Sequence, residues 1–399
     1  MSRVKTEKLK EIFELKTDLL LHGLRISESF YRTMKKRGND FYKGRKGGAG
    51  PAGGRYFLFL NGSVANVSLY GHKSEQSHLI LEKVLEEDKS HPRYLYVEIV
   101  DNLSNKHFTD IRLIPEREKY NQMDNLENTI NKQIALIHAD SVLATTIVQT
   151  CKYWREGKPC KFCGIELSLK NRNTIKRKSA EQLIKAIKDA KEQGLCKHVT
   201  LTSGTLDTPQ KGAKMYIEVV HKIKDIFPDL PIHIQIEPFE DKSLLQTLKE
   251  VGVDTIGIHL EIPDDEIRRE ICPGKARIPR SEFEEYWKES VSVFGHGQVS
   301  SFILVGFGED IDQLIQYLGK MISLGVIPVI VPVRENINTS ITSEITTSQM
   351  LNIYTATAKH LIKNNLDPLQ TKAGCPLCGG CSALNDAYKY IQSQGNNIK

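Results

Sequence analysis

The stretch Leu143-Ala-Thr-Thr-Ile-Val-Gln-Thr-Cys151-Lys-Tyr-Trp-Arg-Glu-Gly-Lys-Pro-Cys160-Lys-Phe-Cys163 joins an apolar run to three closely spaced cysteines. Near-continuous apolar runs are typical of strands that are buried on both faces of a parallel sheet. Thiolates in a C-x8-C-x2-C pattern suit a soft metal or an iron–sulfur cluster. Because three ligands are one short of closing a tetrahedral site or a four-iron cube, the pattern predicts an open coordination position.

Beyond this stretch the chain alternates between apolar runs and segments with helical periodicity. The predicted strands are Leu143–Gln149, His198–Thr202, Ile232–Glu237, Thr255–Leu260, Val299–Val305 and Ile327–Pro332. The predicted helices are Ala180–Gln193, Lys211–Ile226, Lys242–Val251, Arg280–Phe294, Ile311–Leu324 and Ser348–Lys363. Six successive βα units predict an α/β fold in which a parallel sheet curls into a partial (β/α) barrel, open on one side.

The predicted barrel divides the chain into three regions. Residues 1–140 are expected to form an N-terminal α/β region, with a helix over 1–35 and strands at Tyr56–Leu60 and Tyr94–Val100. Residues 141–366 form the barrel, and residues 367–399 form a C-terminal cysteine-rich segment. The N-terminal region also contains a glycine-dense loop, Lys43–Arg55, which is either an anion-binding backbone loop or a flexible connector.

The composition predicts an ordinary globular protein. Of the 399 residues, 40% are hydrophobic and 26% are charged, and the net charge is +6. The charges are dispersed, which argues against a nucleic-acid partner, and no apolar run approaches the length of about 20 residues that a membrane span needs. Clustered thiols without an export signal predict a reducing cytoplasm, and therefore metal ligation in place of disulfides.

A second cysteine trio, Cys375, Cys378 and Cys381, follows the last barrel helix in a C-x2-C-x2-C pattern. The small residues between these cysteines permit tight turns that would aim three sulfurs inward. The favoured interpretation is an auxiliary iron–sulfur cluster. A structural zinc, a redox dithiol and unmetallated thiols are the alternatives. Cys196 and Cys272 are expected to be buried small hydrophobic residues, with Cys272 as a minority candidate for the fourth ligand of this second site.

Several polar residues follow the predicted strands, at the rim where β/α barrels carry their active sites. His259 and Glu261 alternate on one strand, so that both side chains can face the barrel lumen. Lys275 and Arg277 are either anion-binding residues or part of a solvated loop. Phe162, between the last two cysteines of the first trio, is placed to cover the flat ring of a cofactor.

The chain resembles the radical S-adenosylmethionine (SAM) superfamily in three features: the first cysteine trio, its place after the first strand, and the six βα units. Members usually carry C-x3-C-x2-C, so the x8 spacing here requires Lys152–Pro159 to bulge outward. The resemblance implies that Cys151, Cys160 and Cys163 hold a [4Fe–4S] cluster whose free iron binds SAM. It further implies reductive cleavage of SAM to a radical that takes hydrogen from a small-molecule substrate. The electron donor would be an external protein such as ferredoxin or flavodoxin.

The resemblance also assigns SAM contacts to residues at the strand ends. Thr205 stands where relatives place an acidic residue for the SAM amino group. The implied cofactor-binding residues are Phe162, Ser203, Gly204, Thr205, Glu237, Glu261, Gly306 and Glu309.

A closer resemblance, to the biotin-synthase-like radical SAM proteins encoded in nitrilase-type gene clusters, covers nearly the whole chain. It rests on Arg45-Lys-Gly-Gly-Ala-Gly-Pro, Gln149-Thr-Cys, Cys160-Lys-Phe-Cys-Gly-Ile, Pro273-Gly-Lys-Ala, Gly297-Gln-Val-Ser and Lys372-Ala-Gly-Cys. It does not identify a substrate.

Two functions of different class follow from the sequence. The first is a radical SAM enzyme whose auxiliary cluster anchors the substrate or donates sulfur, with electron transfer as a third role for that cluster. The second is a non-catalytic iron–sulfur or zinc-binding scaffold or electron carrier that uses the same thiols.

Overall fold

Two sheets organise the chain, and the first lies in the N-terminal region. The computed structural model of the protein describes residues 3–37, 54–87, 94–334 and 343–395. The first sheet consists of β1 (Arg25–Ile26), β2 (Arg55–Phe59), β3 (Val64–Val67), β4 (Leu79–Glu87), β5 (Leu95–Asp101) and β6 (Lys106–Ile114). Its strand order is β1-β4-β5-β6-β2-β3, with β1 parallel to β4 and the other neighbours antiparallel. The predicted α/β character of this region is therefore confirmed.

The single helix predicted over 1–35 is wrong, because Gly23 divides it. Gly23 adopts a φ of +71°, and a Cβ there would lie 2.6 Å from the carbonyl oxygen of Ser68. Glycine reaches this left-handed conformation without steric cost. The helices of this region are α1 (Arg3–His22), α2 (Glu28–Lys36), α3 (His72–Glu75), α4 (Glu118–Asn121) and α5 (Asn131–Ile134). The glycine-dense loop Lys43–Arg55 lies outside the described residues, apart from Gly54 and Arg55.

The second sheet is the partial barrel. Its strands are β7 (Leu136–His138), β8 (Val142–Thr146), β9 (His198–Thr202), β10 (Ile232–Gln235), β11 (Thr255–Gly257), β12 (Val299–Val305) and β13 (Val326–Pro332). The order runs from β8 to β13 with every neighbouring pair parallel, and β7 adds an antiparallel edge to β8. Six parallel strands with intervening helices confirm the predicted fold class.

The remaining helices connect or follow the barrel strands. They are α6 (Lys152–Arg155), α7 (Leu167–Lys170), α8 (Ala180–Glu192), α9 (Ala213–Ile226), α10 (Leu244–Glu250), α11 (Asp265–Ile271), α12 (Arg280–Phe294), α13 (Ile311–Ser323), α14 (Thr347–Lys363), α15 (Cys375–Cys378) and α16 (Leu384–Gly395). Side chains cap several of these helices, as at Ser179, whose hydroxyl accepts from the Gln182 backbone N–H at the start of α8. Such caps satisfy backbone donors that have no partner within the helix.

One continuous hydrophobic core runs through all three predicted regions, from Ile12 in α1 to Tyr388 in α16. The C-terminal helix α16 packs against both α1 and α14. The boundaries at residues 140 and 366 stay a prediction. Among the described residues, no helix is both long and apolar enough to span a membrane.

Candidate active site

A cavity of about 290 Å³ opens at the carboxyl ends of the barrel strands. Both cysteine trios contribute to its wall, although they are more than 200 residues apart in the sequence. The predicted site residues that line it are Cys151, Cys160, Phe162, Cys163, Ser203, Gly204, Thr205, Glu237, Glu261 and Cys381. The tertiary structure thus brings most of the predicted rim residues to one cavity.

The loop that carries the first trio begins just beyond β8. The backbone N–H of Cys151 donates to Glu166 Oε1 over 3.3 Å, and Cys151 is the residue that precedes α6. Cys160 and Cys163 share a turn in which the Cys163 N–H donates to the Cys160 carbonyl over 3.0 Å. These hydrogen bonds position the loop through contacts within the protein alone.

The eight-residue insertion is partly folded inward. Lys152–Arg155 forms the helical turn α6, and its Tyr153 is buried. The Tyr153 hydroxyl donates to Glu237 Oε2 over 2.9 Å. The predicted outward bulge is therefore wrong for Tyr153, which turns into the cavity because its ring is apolar and its hydroxyl finds a carboxylate there.

The turn after β9 packs directly on the first trio's loop. The Gly204 N–H donates to the Val148 carbonyl over 2.9 Å, and the Lys152 N–H donates to the Thr205 carbonyl over 2.9 Å. A Cβ at Gly204 would lie 2.1 Å from the carbonyl oxygen of Thr150. This contact leaves no room for a side chain, so glycine is required at this position.

Glu237 supplies a carboxylate next to the Thr202–Thr205 turn, which itself contains no acidic residue. Its Oε1 accepts a hydrogen bond from the Thr205 hydroxyl, and its Oε2 accepts from Tyr153. Glu237 is only 8% exposed. The carboxylate therefore comes from the segment just after β10, which the sequence alone did not specify.

Glu261 and Lys275 form an ion pair in the cavity wall. The Lys275 ammonium lies 2.9 Å from Glu261 Oε1 and also donates to the His259 carbonyl over 3.2 Å. Burial by itself lowers the pKa of Lys275, but the charges of Glu261 and Glu237 outweigh it and raise the pKa above its usual value. Glu261 has a φ of +71°, an uncommon conformation for a residue with a side chain that is often found at functional sites.

Two thiols of the first trio, those of Cys160 and Cys163, have pKa values raised by their surroundings. Burial, with the nearby Cys160 and Cys151, raises the pKa of Cys163 to about 12. Contact with the Cys272 side chain, together with burial, raises the pKa of Cys160 well above its usual value. Cys272 is fully buried beside Cys160 and Phe162. Its expected role as a buried residue is confirmed, whereas the suggestion that it completes the second site is wrong.

The second trio lies on α15, which begins at Cys375 and ends at Cys378, and on the turn after it, which contains Cys381. At this turn the N-terminal region contacts the C-terminal segment. The Asn66 N–H in β3 donates to the Gly380 carbonyl over 2.6 Å, and the Lys16 ammonium donates to the Gly379 carbonyl over 2.9 Å. From the barrel, Gln235 Nε2 donates to Cys375 Sγ over 3.6 Å. Three distant segments of the chain thus position this trio.

The thiols of the second trio influence one another. Burial and the other two cysteines raise the pKa of Cys375 well above its usual value, and burial and Cys381 raise that of Cys378 to about 11. Burial also raises the pKa of Tyr56, as do all three cysteines. The Tyr56 ring and the Cys378 sulfur both border Gly380, since a Cβ there would lie 3.3 Å from Tyr56 Cε1 and 3.5 Å from Cys378 Sγ.

Four of the predicted site residues are not part of the cavity lining: Gly306, Glu309, Cys375 and Cys378. The Glu309 carboxylate accepts hydrogen bonds within its own turn, from the backbone N–H groups of Gly306 over 2.7 Å and Phe307 over 2.8 Å. Cys375 and Cys378 are the first and last residues of α15, and of this trio only Cys381 lines the cavity. Sequence reasoning did not single out Tyr153, Gln235 or Arg334, which do line the cavity. The position of Arg334 just beyond the apolar strand β13 is a feature of the sequence from which this residue could have been predicted to lie at the rim.

The donor sets fit iron–sulfur clusters chemically. Ligation requires deprotonated thiols, and iron supplies the positive charge that buried thiolates would otherwise lack. A four-iron cube takes three thiolates at three different irons. Within the described ranges, no group of three His, Cys, Asp or Glu side chains is arranged to hold a single metal ion.

Comparison with known protein families matches residues 156–320 to the Radical SAM superfamily. This chain contains a radical SAM domain. The matched range begins inside the first trio's loop and ends in α13, so it covers most of the partial barrel. Radical SAM domains bind a [4Fe–4S] cluster and SAM, which agrees with the expected cofactors. The narrower resemblance to the proteins of nitrilase-type gene clusters stays a prediction.

The curated relatives of this chain have names that describe different reactions. A 5-amino-6-(D-ribitylamino)uracil–L-tyrosine 4-hydroxyphenyl transferase 2 from Methanosarcina acetivorans is 28% identical over 154 residues, which are 35% of this chain and 38% of the relative. A lipoyl synthase from Histophilus somni is 28% identical over 155 residues, 37% of this chain and 44% of the relative. The chain therefore spans less than half the length of these relatives.

Among solved structures, methylornithine synthase is similar to 65% of this chain and 70% of its own, with 18% identity and a TM-score of 0.45.

Proposed function

We propose that this protein is a radical SAM enzyme in which Cys151, Cys160 and Cys163 hold the [4Fe–4S] cluster that binds SAM. When bound, the cluster supplies the electron that cleaves SAM to the 5′-deoxyadenosyl radical, which takes hydrogen from a small-molecule substrate. The observation that carries this proposal is that the trio, the Thr202–Thr205 turn and two carboxylates line one cavity, and that most of these residues fall in the range that matches the Radical SAM superfamily. An external protein such as ferredoxin or flavodoxin would deliver the electron.

Different residues of the cavity wall would bind different parts of SAM. Glu237, Ser203 and Thr205 would receive the amino group or the ribose hydroxyls, since their oxygen atoms lie beside the first trio's loop. Lys275 would bind the SAM carboxylate, because it is the cation that lies closest to Glu261 and Cys160 in the cavity wall. Phe162 and Gly204 contribute an apolar face and a close backbone approach. Gly306 and Glu309 remain proposed contacts for the adenine.

We further propose that Cys375, Cys378 and Cys381 hold an auxiliary iron–sulfur cluster. Support comes from Cys381, which lines the same cavity as the first trio. A cluster there would face the substrate, so that anchoring of the substrate or donation of sulfur to it is favoured over electron transfer alone. Anchoring would bring a substrate carbon close to the reacting group, which is a large source of rate enhancement.

Anaerobic reconstitution with iron and sulfide, followed by a reductant and SAM, tests the proposal. The wild-type protein is expected to form 5′-deoxyadenosine, whereas the Cys151→Ala, Cys160→Ala, Cys163→Ala triple variant is expected to form none. Soluble expression of the variant is checked first, because metal ligation often contributes to folding. A wild-type preparation with a full complement of iron that forms no 5′-deoxyadenosine would instead indicate a non-catalytic scaffold or electron carrier.

A further inference from the structure

Arg334 places a cation in the cavity wall, and two of its nitrogen atoms have no hydrogen-bond partner among the described residues. It lies two residues beyond the end of β13, on the same rim as the first trio, and next to the second. Its Nη1 donates to the Asn66 carbonyl in β3 over 3.0 Å. Its Nε and Nη2 atoms are buried, and neither has a hydrogen-bond partner among the described residues.

The two free nitrogens belong to one edge of the guanidinium. The Nε–H group and one N–H of Nη2 point in parallel, which is the fork that binds two oxygen atoms of one anion. The bond from Nη1 to Asn66 holds the opposite part of the group, and Asn66 is itself bonded to Gly380. The guanidinium is therefore anchored to β3 through Nη1, and its Nε–Nη2 edge has no partner among the described residues.

No carboxylate within the described residues offsets this charge. Burial lowers the pKa of Arg334, and the groups that act in the opposite direction are the Cys381 thiol and the phenols of Tyr354 and Tyr56. An arginine remains charged in proteins, and a buried charge without a partner is costly. By contrast, the Lys275 cation on the same cavity already has Glu261 as its partner.

We propose that the Nε–Nη2 edge of Arg334 binds the carboxylate of the substrate, so that this enzyme acts on a small carboxylic acid. A single guanidinium balances one negative charge, which favours a carboxylate over a phosphate monoester with its charge of about −1.5 to −2. The carboxylate would be held at the end of the cavity that Cys381 lines, and the remainder of the molecule would extend toward the first trio. This inference rests on the proposed function, since it names the substrate class of that site.

The test measures binding of hexanoate to the anaerobically reconstituted, SAM-loaded protein by calorimetry, with hexanamide as the neutral match and hexyl phosphate as the second anion. Wild-type protein is expected to bind hexanoate about ten-fold more tightly than hexanamide, the size of effect that charge-assisted hydrogen bonds give. Arg334→Gln should remove this preference. Arg269→Gln, the same change at an exposed arginine in α11, should retain it.

Three results of the binding measurements would overturn the inference. They are the absence of hexanoate binding to the wild type at millimolar concentration, equal affinity for acid and amide, and tighter binding of hexyl phosphate than of hexanoate. Iron is measured on the same samples, because loss of iron in Arg334→Gln would show that the guanidinium stabilises the second trio and not a substrate. Formation of 5′-deoxyadenosine is assayed separately. Its absence would contradict the proposed function while leaving the anion site standing.

Discussion

The ammonium group of Lys16 lies 2.7 Å from Asp386 Oδ2, and both side chains are completely buried. Lys16 belongs to α1 and Asp386 to α16, so this ion pair joins the two ends of the chain. Asp386 also accepts from Asn61 Nδ2 over 3.0 Å. Burial alone would raise the pKa of Asp386, but Lys16 and Asn61 outweigh it and lower the pKa. Since Lys16 also binds Gly379, the same contact supports the turn of the second trio.

Replacement of Lys16 should therefore destabilise the protein strongly. In Lys16→Met the Asp386 carboxylate is left buried without its cation, and we expect the free energy of unfolding to fall by about 3–5 kcal/mol. Urea denaturation of the metal-free protein measures this change. Lys10→Met, which breaks an exposed pair with Glu14, should change stability by no more than about 0.5 kcal/mol. Similar values for the two variants would contradict the importance of the buried pair.

Gly204→Ala should displace the loop that carries Cys151. The added Cβ would lie 2.1 Å from the Thr150 carbonyl oxygen, so backbone must move, at a cost of about 1–3 kcal/mol. We expect lower stability and less iron retained at the first trio. Gly395→Ala is the matched control, because a Cβ at this helical position meets no atom within 4 Å. Unchanged iron binding in Gly204→Ala would show that the turn does not position the trio.

Tyr153→Phe should weaken SAM binding by removing the hydroxyl that orients Glu237. The lost hydrogen bond to a carboxylate is worth about 1.5–3 kcal/mol, and part of this should appear as a several-fold higher dissociation constant for SAM. Equilibrium binding to the reconstituted protein measures it. Tyr286→Phe removes the hydroxyl of a buried tyrosine in α12, so it controls for loss of a phenol. Equal SAM affinity in Tyr153→Phe and wild type would argue against a role for Glu237 in binding SAM.

The stability of the metal-free protein should fall between pH 6.5 and pH 4. Burial lowers the pKa of His198 from 6.5 to about 4. Within this window the unfolded state binds the proton and the folded state does not, so the free energy of unfolding falls as the pH falls. The contribution is on the order of 2–3 kcal/mol.

In His198→Asn, where the amide oxygen can still accept from the Gly374 N–H, the slope between these pH values should be smaller. His221→Asn changes an exposed histidine in α9 and should retain the wild-type slope. Urea denaturation at several pH values provides the measurement. An identical slope in His198→Asn and wild type would contradict the assignment to His198.

Removal of the second trio should halve the iron content. If each trio holds a four-iron cube, reconstituted wild-type protein should contain about eight iron atoms per chain, and the Cys375→Ala, Cys378→Ala, Cys381→Ala variant about four. The electron paramagnetic resonance signal of the first cluster should still respond to SAM in this variant. One equivalent of zinc in wild-type protein that is lost with these cysteines would instead identify the second site as structural.

The barrel could be predicted from the sequence because its strands are buried on both faces. Their apolar runs end sharply, and the predicted strands His198–Thr202 and Val299–Val305 coincide with β9 and β12. Several strands of the first sheet were missed, because a strand with a solvated face carries a weaker apolar signal. In β6, for example, Lys106, His107 and Asp110 are exposed. The break at Gly23 depends on a contact with Ser68, which local periodicity cannot reveal.

For the candidate site, the sequence by itself determined which residues carry the chemistry, since the two cysteine trios and the carboxylates at strand ends are local patterns. Only the tertiary structure decided which of them meet. Tyr153 reaches Glu237 across 84 positions of the chain, and Cys381 joins the first trio's cavity because Lys16 and Asn66 hold its turn. Such contacts depend on how distant segments of the chain pack together. Residue spacing and periodicity are local patterns, so they do not show which distant segments will meet.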